Sequence, residues 1–548
     1  MNSFCEDQHA LWQFLEQSVG QEVILSVAGR FRLEGRLLSA DRSLVELEQV
    51  ALVAANGARQ AFPVYTLDPS LISGFTLRTF TNFPCPWTGF TKITPVNGFD
   101  ASDPNNAMQN NYAWSMAELG DFIYVGTARN IAYSILSNQI LGNVPIPPLL
   151  TPPGPIDNSG EIWRYRKDGS QDWERVYQAP PDPMNIGFRY MINYRDALYA
   201  GALTPLSPNL IIVKSTDGTH WRVLNSGIQG YSTRYMVEHE GLLFMGALPL
   251  MGVAEAKLYV SSDPEGLGWQ PVDVNGTPGQ NPRGNIDVLL SFNGHLYVGT
   301  ALPTGFELWR TRGAFPQFNE WILVVDRGAG DARNEHPWSI GVFQDWIYLG
   351  TAIEVAVRSI NPDQSIVPPK GFDVIRINRQ DQWELVVGGP PAVPTNPTTG
   401  TRGLPLSGFP SGFGDVTNGY CWQIQAFGNE LYLGTWSWND LIPAFISVLP
   451  TVILQQLPEQ TPDWVRLLLQ LLQAVFTNRL TPLLYALGQR ALGFDLWRTS
   501  DGIRWAPLSL NGLGNVYNYG LRMLFVSAEP RLYAGTANPF QGCEVWRT

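Results

Sequence analysis

Cysteine is scarce in this chain: Cys5, Cys85, Cys421 and Cys543 are the only four in 548 residues, and no two stand in a CxxC pair. That excludes a disulfide-stapled fold and a thiolate zinc site, and it fits a reducing compartment. Charge is scarce too. Asp, Glu, Lys and Arg make up 15% of the chain, where a soluble domain usually carries about 25%. The 36 basic residues face 48 acidic ones, for a net charge of −12. Non-specific phosphate binding needs clustered Lys and Arg to displace counterions, so nucleic acid is not expected as a partner. Long apolar runs are missing as well: the longest, Leu441 to Leu454, is broken by Pro443 and Pro450 and falls short of the ~20 residues a spanning helix requires. The opening MNSFCEDQHALWQFLEQ is acidic where a secretory signal is basic and then apolar. A cytoplasmic protein is expected, or one assembled on a cell or spore surface without a signal peptide. No GxSxG, HExxH, P-loop or dinucleotide fingerprint is present, and neither a cofactor nor a resident metal is expected.

What the chain has in quantity is 53 Gly, 42 Pro and 12% aromatic residues, a turn-rich, flat-packing composition that points to an all-β protein. One phrase recurs seven times: IYVGT ending at Thr127, LYAGA at Ala202, LFMGA at Ala247, LYVGT at Thr300, IYLGT at Thr351, LYLGT at Thr435 and LYAGT at Thr536. Eight residues before the aromatic stands a large apolar residue in most copies (Met116, Met191, Met236, Leu289, Ile340, Ile424), and Met523 precedes the last copy by ten. Downstream come EIWR, ELWR, DLWR and EVWR segments, then a strand opening on Trp173, Trp221, Trp269, Trp321, Trp383 or Trp505. Four strands per repeat, at 45 to 53 residues from Gly201 to Gly246 to Gly299 to Gly350, is the arithmetic of a β-propeller blade, and seven repeats predict seven blades.

The segments KDGSQDW, TDGTHW, DPEGLGW and SDGIRW between the third and fourth strands resemble the Asp-box hairpins of sialidase-type propellers. That resemblance implies a fold, with Asp capping the turn, Gly at positive φ and Trp plugged between blades, and implies no glycosidase activity. The C-terminal NYGLRM…LYAGTANPFQGCEVWRT is similar to a bacterial propeller family that includes cyclophane-forming aryl-alkylating enzymes. The last copy ends after its third strand, and WTGFTKITPVNG (87–98) reads as the missing fourth, so exchange between the termini is expected to close the ring. Cys85 and Cys543 fall in that composite blade, where two packed thiols are favoured over a bond.

Residues 1–80 lie outside the ring, and the propeller takes 81–548. A helix candidate at 7–18 precedes strands at 22–27, 31–41, 44–53 and 61–67, with Gly35 where the second strand must bend. This layout resembles an Sm-like or SH3-like small barrel, without the glycine-basic RNA signature, and implies subunit contacts and a homo-oligomer. Such a module before a propeller also resembles spore-coat-associated proteins.

The long connections, 128–159, 352–371, 388–418 and 436–493, all fall in the two loop classes that share one face. Function is expected there, as a small-molecule or protein ligand over the central channel. Two residues before the repeating apolar position stand Trp114, Arg189, Arg234, Asp287, Trp338 and Trp422, with Arg522 beside Met523. A ring of these would make a cation-rich, aromatic-walled mouth suited to an anionic or aromatic ligand. The alternative is that the Trp residues plug between blades and each Arg pairs with an acid. DRGAGDARNEHPW (326–338) carries His336, with Asp331 or Glu335 placed to orient it for acid/base work, or a loop salt-bridge cluster. The sixth repeat adds Tyr420, Trp436, Trp438 and Asp440, with Asp415 nearby, and the seventh Tyr519. DASDPNNAMQNN (100–111) offers oxygens for calcium or, more simply, turn caps. The insertion 439–493 carries helical stripes at 464–476 and 482–492. It reads as a lid, a partner surface or a membrane-interface anchor; the anchor is disfavoured because Arg466, Arg479 and Arg490 form no dense basic face. Function thus divides between a binding or assembly protein, an enzyme acting on an aromatic or anionic molecule, and a glycan-binding or glycan-cleaving propeller. Cleavage would require two carboxylates roughly 5 to 10 Å apart.

Overall fold

The computed structural model describes four strands between residues 22 and 67, and residues 89–548 apart from 136–149, 153, 182–184, 205–208, 250–256, 273–278, 354–369 and 442–491. The helix candidate at 7–18, Cys85 and both helical stripes of the insertion lie outside the described residues.

The N-terminal strands, β1 (Glu22–Val27), β2 (Phe31–Ala40), β3 (Val45–Ala54) and β4 (Arg59–Leu67), form an antiparallel meander in the order β1-β2-β3-β4. Among the side chains described there, Leu25, Leu33, Val45, Leu47 and Leu52 are buried. The β2–β3 register slips between Glu34 and Arg36, at Gly35. A bulge there bends the strand, and a residue without Cβ bends at least cost. Over the described residues the sheet is open, with β1 and β4 paired only to their inner neighbours.

From residue 91 onward the described residues are strands with a few short helices, and they form a propeller. Its strands group by antiparallel pairing into seven units of four. Their first strands are Asn110–Leu119, Gly187–Tyr194, Tyr231–His239, Asn285–Phe292, His336–Phe343, Asn418–Phe427 and Gly520–Val526. Each first strand touches the next, and the seventh returns to the first. The seventh unit is completed from the other end of the chain: Trp546 pairs with Lys92 and Arg547 with Thr91. Beyond them, Ile93 N–H donates to Val545 O at 2.9 Å and Gly98 N–H to Cys543 O at 2.7 Å.

Two letters of the repeated phrase, the glycine and the threonine, have a physical job. The glycine lies under the first strand of the following unit, and a Cβ on it would meet Phe188 Cβ at 2.7 Å (from Gly126), Thr233 Cβ at 2.5 Å (Gly201), Ile286 Cγ2 at 2.6 Å (Gly246), Pro337 Cγ at 3.1 Å (Gly299), Cys421 Cβ at 2.5 Å (Gly350), Leu521 Cβ at 2.6 Å (Gly434) or Ala113 Cβ at 2.8 Å (Gly535). The threonine hydroxyl accepts the N–H of the acid that opens the third strand: Glu161 on Thr127 at 3.1 Å, Asp373 on Thr351 at 2.9 Å, Asp495 on Thr435 at 2.9 Å and Glu544 on Thr536 at 2.8 Å. That acid in turn accepts from an Asn at the head of its own unit: Asn110 to Glu161 at 2.9 Å, Asn334 to Asp373 at 2.9 Å, Asn418 to Asp495 at 2.7 Å and Asn518 to Glu544 at 2.7 Å. The two copies that end in Ala, at Ala202 and Ala247, are also the two whose third strands open without an acid. In these four copies Thr and acid each satisfy the other; in the copy ending at Thr300 the hydroxyl has no partner among the described residues, and Glu307 accepts from Arg283 at 2.7 Å and from the Trp309 indole at 2.9 Å.

The third-to-fourth turns behave as their sequence predicts. Asp217 Oδ1 accepts from Thr219 and His220 N–H, both at 2.8 Å, and Asp501 Oδ1 from Ile503 and Arg504 N–H at 2.9 and 2.8 Å. Gly169, Gly218 and Gly502 sit at φ of +76°, +75° and +73°, a region other residues reach with strain. Cys421 and Cys543 are buried free thiols, and burial pushes Cys421 up to about 12, so neither is a nucleophile at neutral pH.

Gly201→Ala is expected to destabilise the protein by about 1–3 kcal/mol, the range for overpacking a close contact, because Thr233 is β-branched and cannot turn away. Gly313→Ala, with no atom within 4 Å of the added carbon, is expected to be near neutral. Chemical denaturation of the two variants checks the difference.

Candidate functional site

The seven candidate ring residues share a backbone feature that the sequence does not announce. Every first strand has a slip in its register with the second strand at an equivalent position: between Ala113 and Ser115, Phe188 and Tyr190, Thr233 and Tyr235, Ile286 and Val288, Pro337 and Ser339, Cys421 and Gln423, and Leu521 and Met523; the strands of Trp114 and Trp422 slip a second time, at Asn110/Tyr112 and Asn418/Tyr420. The residues skipped at the equivalent position are Trp114, Arg189, Arg234, Asp287, Trp338, Trp422 and Arg522. A bulged residue has left the ladder and its side chain is re-aimed. All seven line a single cavity of about 130 Å³ at the centre of the ring.

The ring holds three guanidiniums, one carboxylate and three indoles, and its charges are unevenly matched. Arg234 Nε donates to Asp287 Oδ1 at 3.0 Å, and the other carboxylate oxygen, Oδ2, lies 2.7 Å from His336 Nδ1. Burial alone would raise the Asp287 carboxyl, but Arg234, His336 and Arg189 hold it below its ordinary value. Arg234 also lies over the Trp338 ring at 4.2 Å. Arg189 and Arg522 flank Trp114 at 5.6 and 5.9 Å, and Arg522 lies 5.4 Å from the Trp422 ring. Burial first, then repulsion from Arg234 and Arg522, brings Arg189 well below the usual guanidinium range; burial and Arg234 bring Arg522 down to about 9.

Two positions before the bulge, towards the loops that carry the long insertions, the same strands place Tyr112, His336 and Tyr420. They extend the ring into an aromatic tier. Tyr420 lies 4.9 Å from Trp338 and 4.4 Å from Trp436, and Tyr519 contacts Trp422 at 6.3 Å and Trp436 at 5.9 Å. Tyr112, which sequence reasoning missed, packs edge-on against Trp114 and Trp422, and its hydroxyl meets that of Tyr519. In two other units this position is glycine for space: a Cβ on Gly187 would meet Trp114 Cε3 at 2.8 Å, and one on Gly520 would meet Trp436 Cδ1 at 3.1 Å as well as Trp422. One arc of the mouth is therefore aromatic and the opposite arc carries the Arg234–Asp287–His336 chain.

The other candidate residues are placed differently. Neither Asp331 nor Glu335 is the carboxylate on His336 Nδ1; that is Asp287, from the preceding unit. Asp331 is fully buried and staples the 388–417 connection, accepting from Ala392 and Val393 N–H at 2.8 and 2.9 Å and pairing with Lys370 at 2.9 Å. Glu335, which precedes the strand His336–Phe343, pairs with Arg333 at 3.3 Å. Asp440 does not line the cavity. It is buried, its Oδ1 accepts Gly493 N–H at 2.9 Å, and burial with the nearby Asp415 and Asp495 pushes its carboxyl up to about 8. Trp438 leaves the strand end, its N–H donating to Thr417 O at 3.1 Å. Asp100 and Asp103 are spent on caps, the latter accepting Asn105 and Asn106 N–H at the head of the short helix Pro104–Gln109.

No protein-family model and no curated protein matches the chain. Among solved structures, an exo-β-1,3-galactanase of Phanerochaete chrysosporium with galactose is similar over 45% of this chain and 56% of its own length, at 12% identity and a TM-score of 0.28. A chain of a nidogen/laminin complex is similar over 52% of this chain and 84% of its own, at 12% identity and 0.29. A luciferin-regenerating enzyme is similar over 63% and 87%, at 9% identity and 0.30. The chain spans little more than half the length of the galactanase. No helix of the described residues is long and apolar enough to cross a membrane.

Asp440 yields a pH dependence of defined sign. A carboxyl whose folded pKa is raised binds its proton more tightly folded than unfolded, so its contribution to stability is full below its ordinary value of 3.8 and is lost as pH rises towards about 8. Asp440→Asn is expected to match the parent in melting temperature near pH 4 and to exceed it at pH 8.5. Melting curves across that range check it.

Proposed function

We propose that this chain is a ligand-binding protein: a seven-bladed propeller with Asp-box-type hairpins, closed by exchange of its terminal strands, whose central channel takes a small molecule. Its N-terminal module, of the Sm-like or SH3-like kind, serves self-association. The observation that carries the binding reading is the convergence of seven bulged residues, one per unit, on one cavity. A bulge gives up ladder pairing, and seven at a single level aim side chains at a common point. The indoles that line the cavity, Trp114, Trp338 and Trp422, support a ligand with a flat face, which stacks on such rings at little entropic cost.

A second reading is favoured by one contact, the 2.7 Å approach of His336 Nδ1 to Asp287 Oδ2. A carboxylate on Nδ1 orients an imidazole for general acid/base work, and on this reading the chain transforms an aromatic or anionic molecule at the same mouth. Glycan cleavage fits less well, because the cavity lining has one carboxylate, Asp287, where hydrolysis by the usual pair uses two. The glycan reading is therefore one of binding.

A melting-temperature screen of flat small molecules against the full chain tests the proposal. Binders are expected to raise the melting temperature saturably, and Trp338→Ala is expected to weaken them at least tenfold. Mass analysis after prolonged incubation is expected to return the binder unchanged; conversion that is lost in His336→Asn supports the enzyme reading instead. Binders indifferent to both Trp338→Ala and Trp422→Ala place the site elsewhere and overturn the proposal.

A further inference from the structure

The three guanidiniums of the channel are not equivalent. Arg234 is matched by Asp287. Arg189 and Arg522 have no carboxylate partner among the described residues, and the Nε of each is buried without a hydrogen-bond partner. Arg522 is 8% exposed. What surrounds them is the indole of Trp114 between the two, with Trp422 beside Arg522. A cation–π contact returns only part of what a desolvated guanidinium loses, and it leaves the planar fork of N–H donors unused. The lowered proton affinity of both groups has the same origin: cations close together in a dry ring.

We propose that Arg189 and Arg522 form the seat of a carboxylate, one on each side of Trp114, and that the channel's ligand is an aromatic carboxylate. This rests on the channel-binding reading above. The fork of a guanidinium matches the planar carboxylate bidentately. Two such forks with a flat indole between them leave a site that is cationic at its edges and aromatic on its faces. Size narrows the class further. The cavity measures about 130 Å³, close to the roughly 150 Å³ of an engineered cavity that admits benzene, so one ring or the acid end of a larger molecule enters the channel. A dinucleotide or an oligosaccharide does not fit. Arg234 is already neutralised by Asp287, which leaves Arg189 and Arg522 as the two cations open to the ligand.

Titration of the full-length protein with benzoate, benzamide and nitrate, followed by tryptophan fluorescence and calorimetry, tests this. Benzoate is expected to bind saturably and at least tenfold more tightly than benzamide, its neutral isostere. Arg189→Gln and Arg522→Gln are each expected to weaken benzoate at least tenfold while leaving benzamide unchanged. Should a Gln variant not fold, the Lys variant, which keeps the charge and loses the fork, is expected to weaken benzoate in the same direction. Equal binding of benzoate and benzamide, or Arg variants without effect on benzoate, overturns the carboxylate seat while the channel-binding reading survives through benzamide. Nitrate binding as tightly as benzoate makes the site one for inorganic anions and overturns the aromatic ligand. If none of the three binds, the carboxylate seat is overturned, and the melting-temperature screen decides the channel reading separately.

Discussion

Seven glycine contacts set the scale of this molecule. Each LYVGT glycine lies against the first strand of the next unit, at a separation that no side chain survives. Adjoining units therefore pack side chain onto bare backbone at this letter, and the innermost strands stand close enough for side chains from all seven to reach one small cavity. A larger residue at that letter would widen the channel, and a wide channel would separate the guanidiniums, the indoles and Asp287 beyond mutual reach.

Closure is the second constraint, and it depends on the first. A ring tightened by glycine must still end somewhere, and an open last unit would present unpaired backbone to solvent. The short strand Thr91–Lys92 fills that edge. Trp173 of the first unit then donates its indole N–H to Ile93 O at 2.7 Å, so the segment that closes the seventh unit is also held by the first. Ile93 and Phe99 thereby enter one buried cluster with Cys543 and Val545, in which Phe99 lies 5.6 Å from Trp163 and 4.6 Å from Trp173.

Most of the fold was legible because a propeller writes its architecture as repetition. The strands, their number per repeat and the composite last unit can be read from IYVGT, ELWR and the recurring Trp. The ring residues were legible by position alone, two before a repeating apolar residue. What could not be read was the bulge that turns them inward, because no residue type marks it: Trp, Arg and Asp occupy the same place in different units. The partner of His336 was misjudged for a related reason. Nearness in sequence favoured Asp331 and Glu335, but Glu335 pairs with Arg333, Asp331 is held by the 388–417 connection, and the carboxylate arrives from the neighbouring unit. Tyr112 went unremarked because one unit's tyrosine is another's glycine or histidine.

The uneven distribution of residue types around the ring is what makes the channel more than a packing solution. Had the seven positions served only to fill the axis, apolar side chains would have been enough, and they occupy the levels beneath, at Met191, Ile340 and Ile424. Placing three arginines in a desolvated ring costs free energy, and one aspartate offsets part of it. Fold stability gives no reason to keep a cation that neither pairs nor packs better than methionine would. A binding requirement does, since the same desolvation that weakens the empty ring strengthens every interaction made with an incoming negative charge. The aromatic arc acts in the same sense, excluding water from the cavity's edge and offering flat surfaces whose contacts need no rearrangement. The scaffold keeps these groups apart and oriented through contacts that none of them makes, the glycine seams and the Thr–acid–Asn links, so the ring can hold an arrangement that does not stabilise itself.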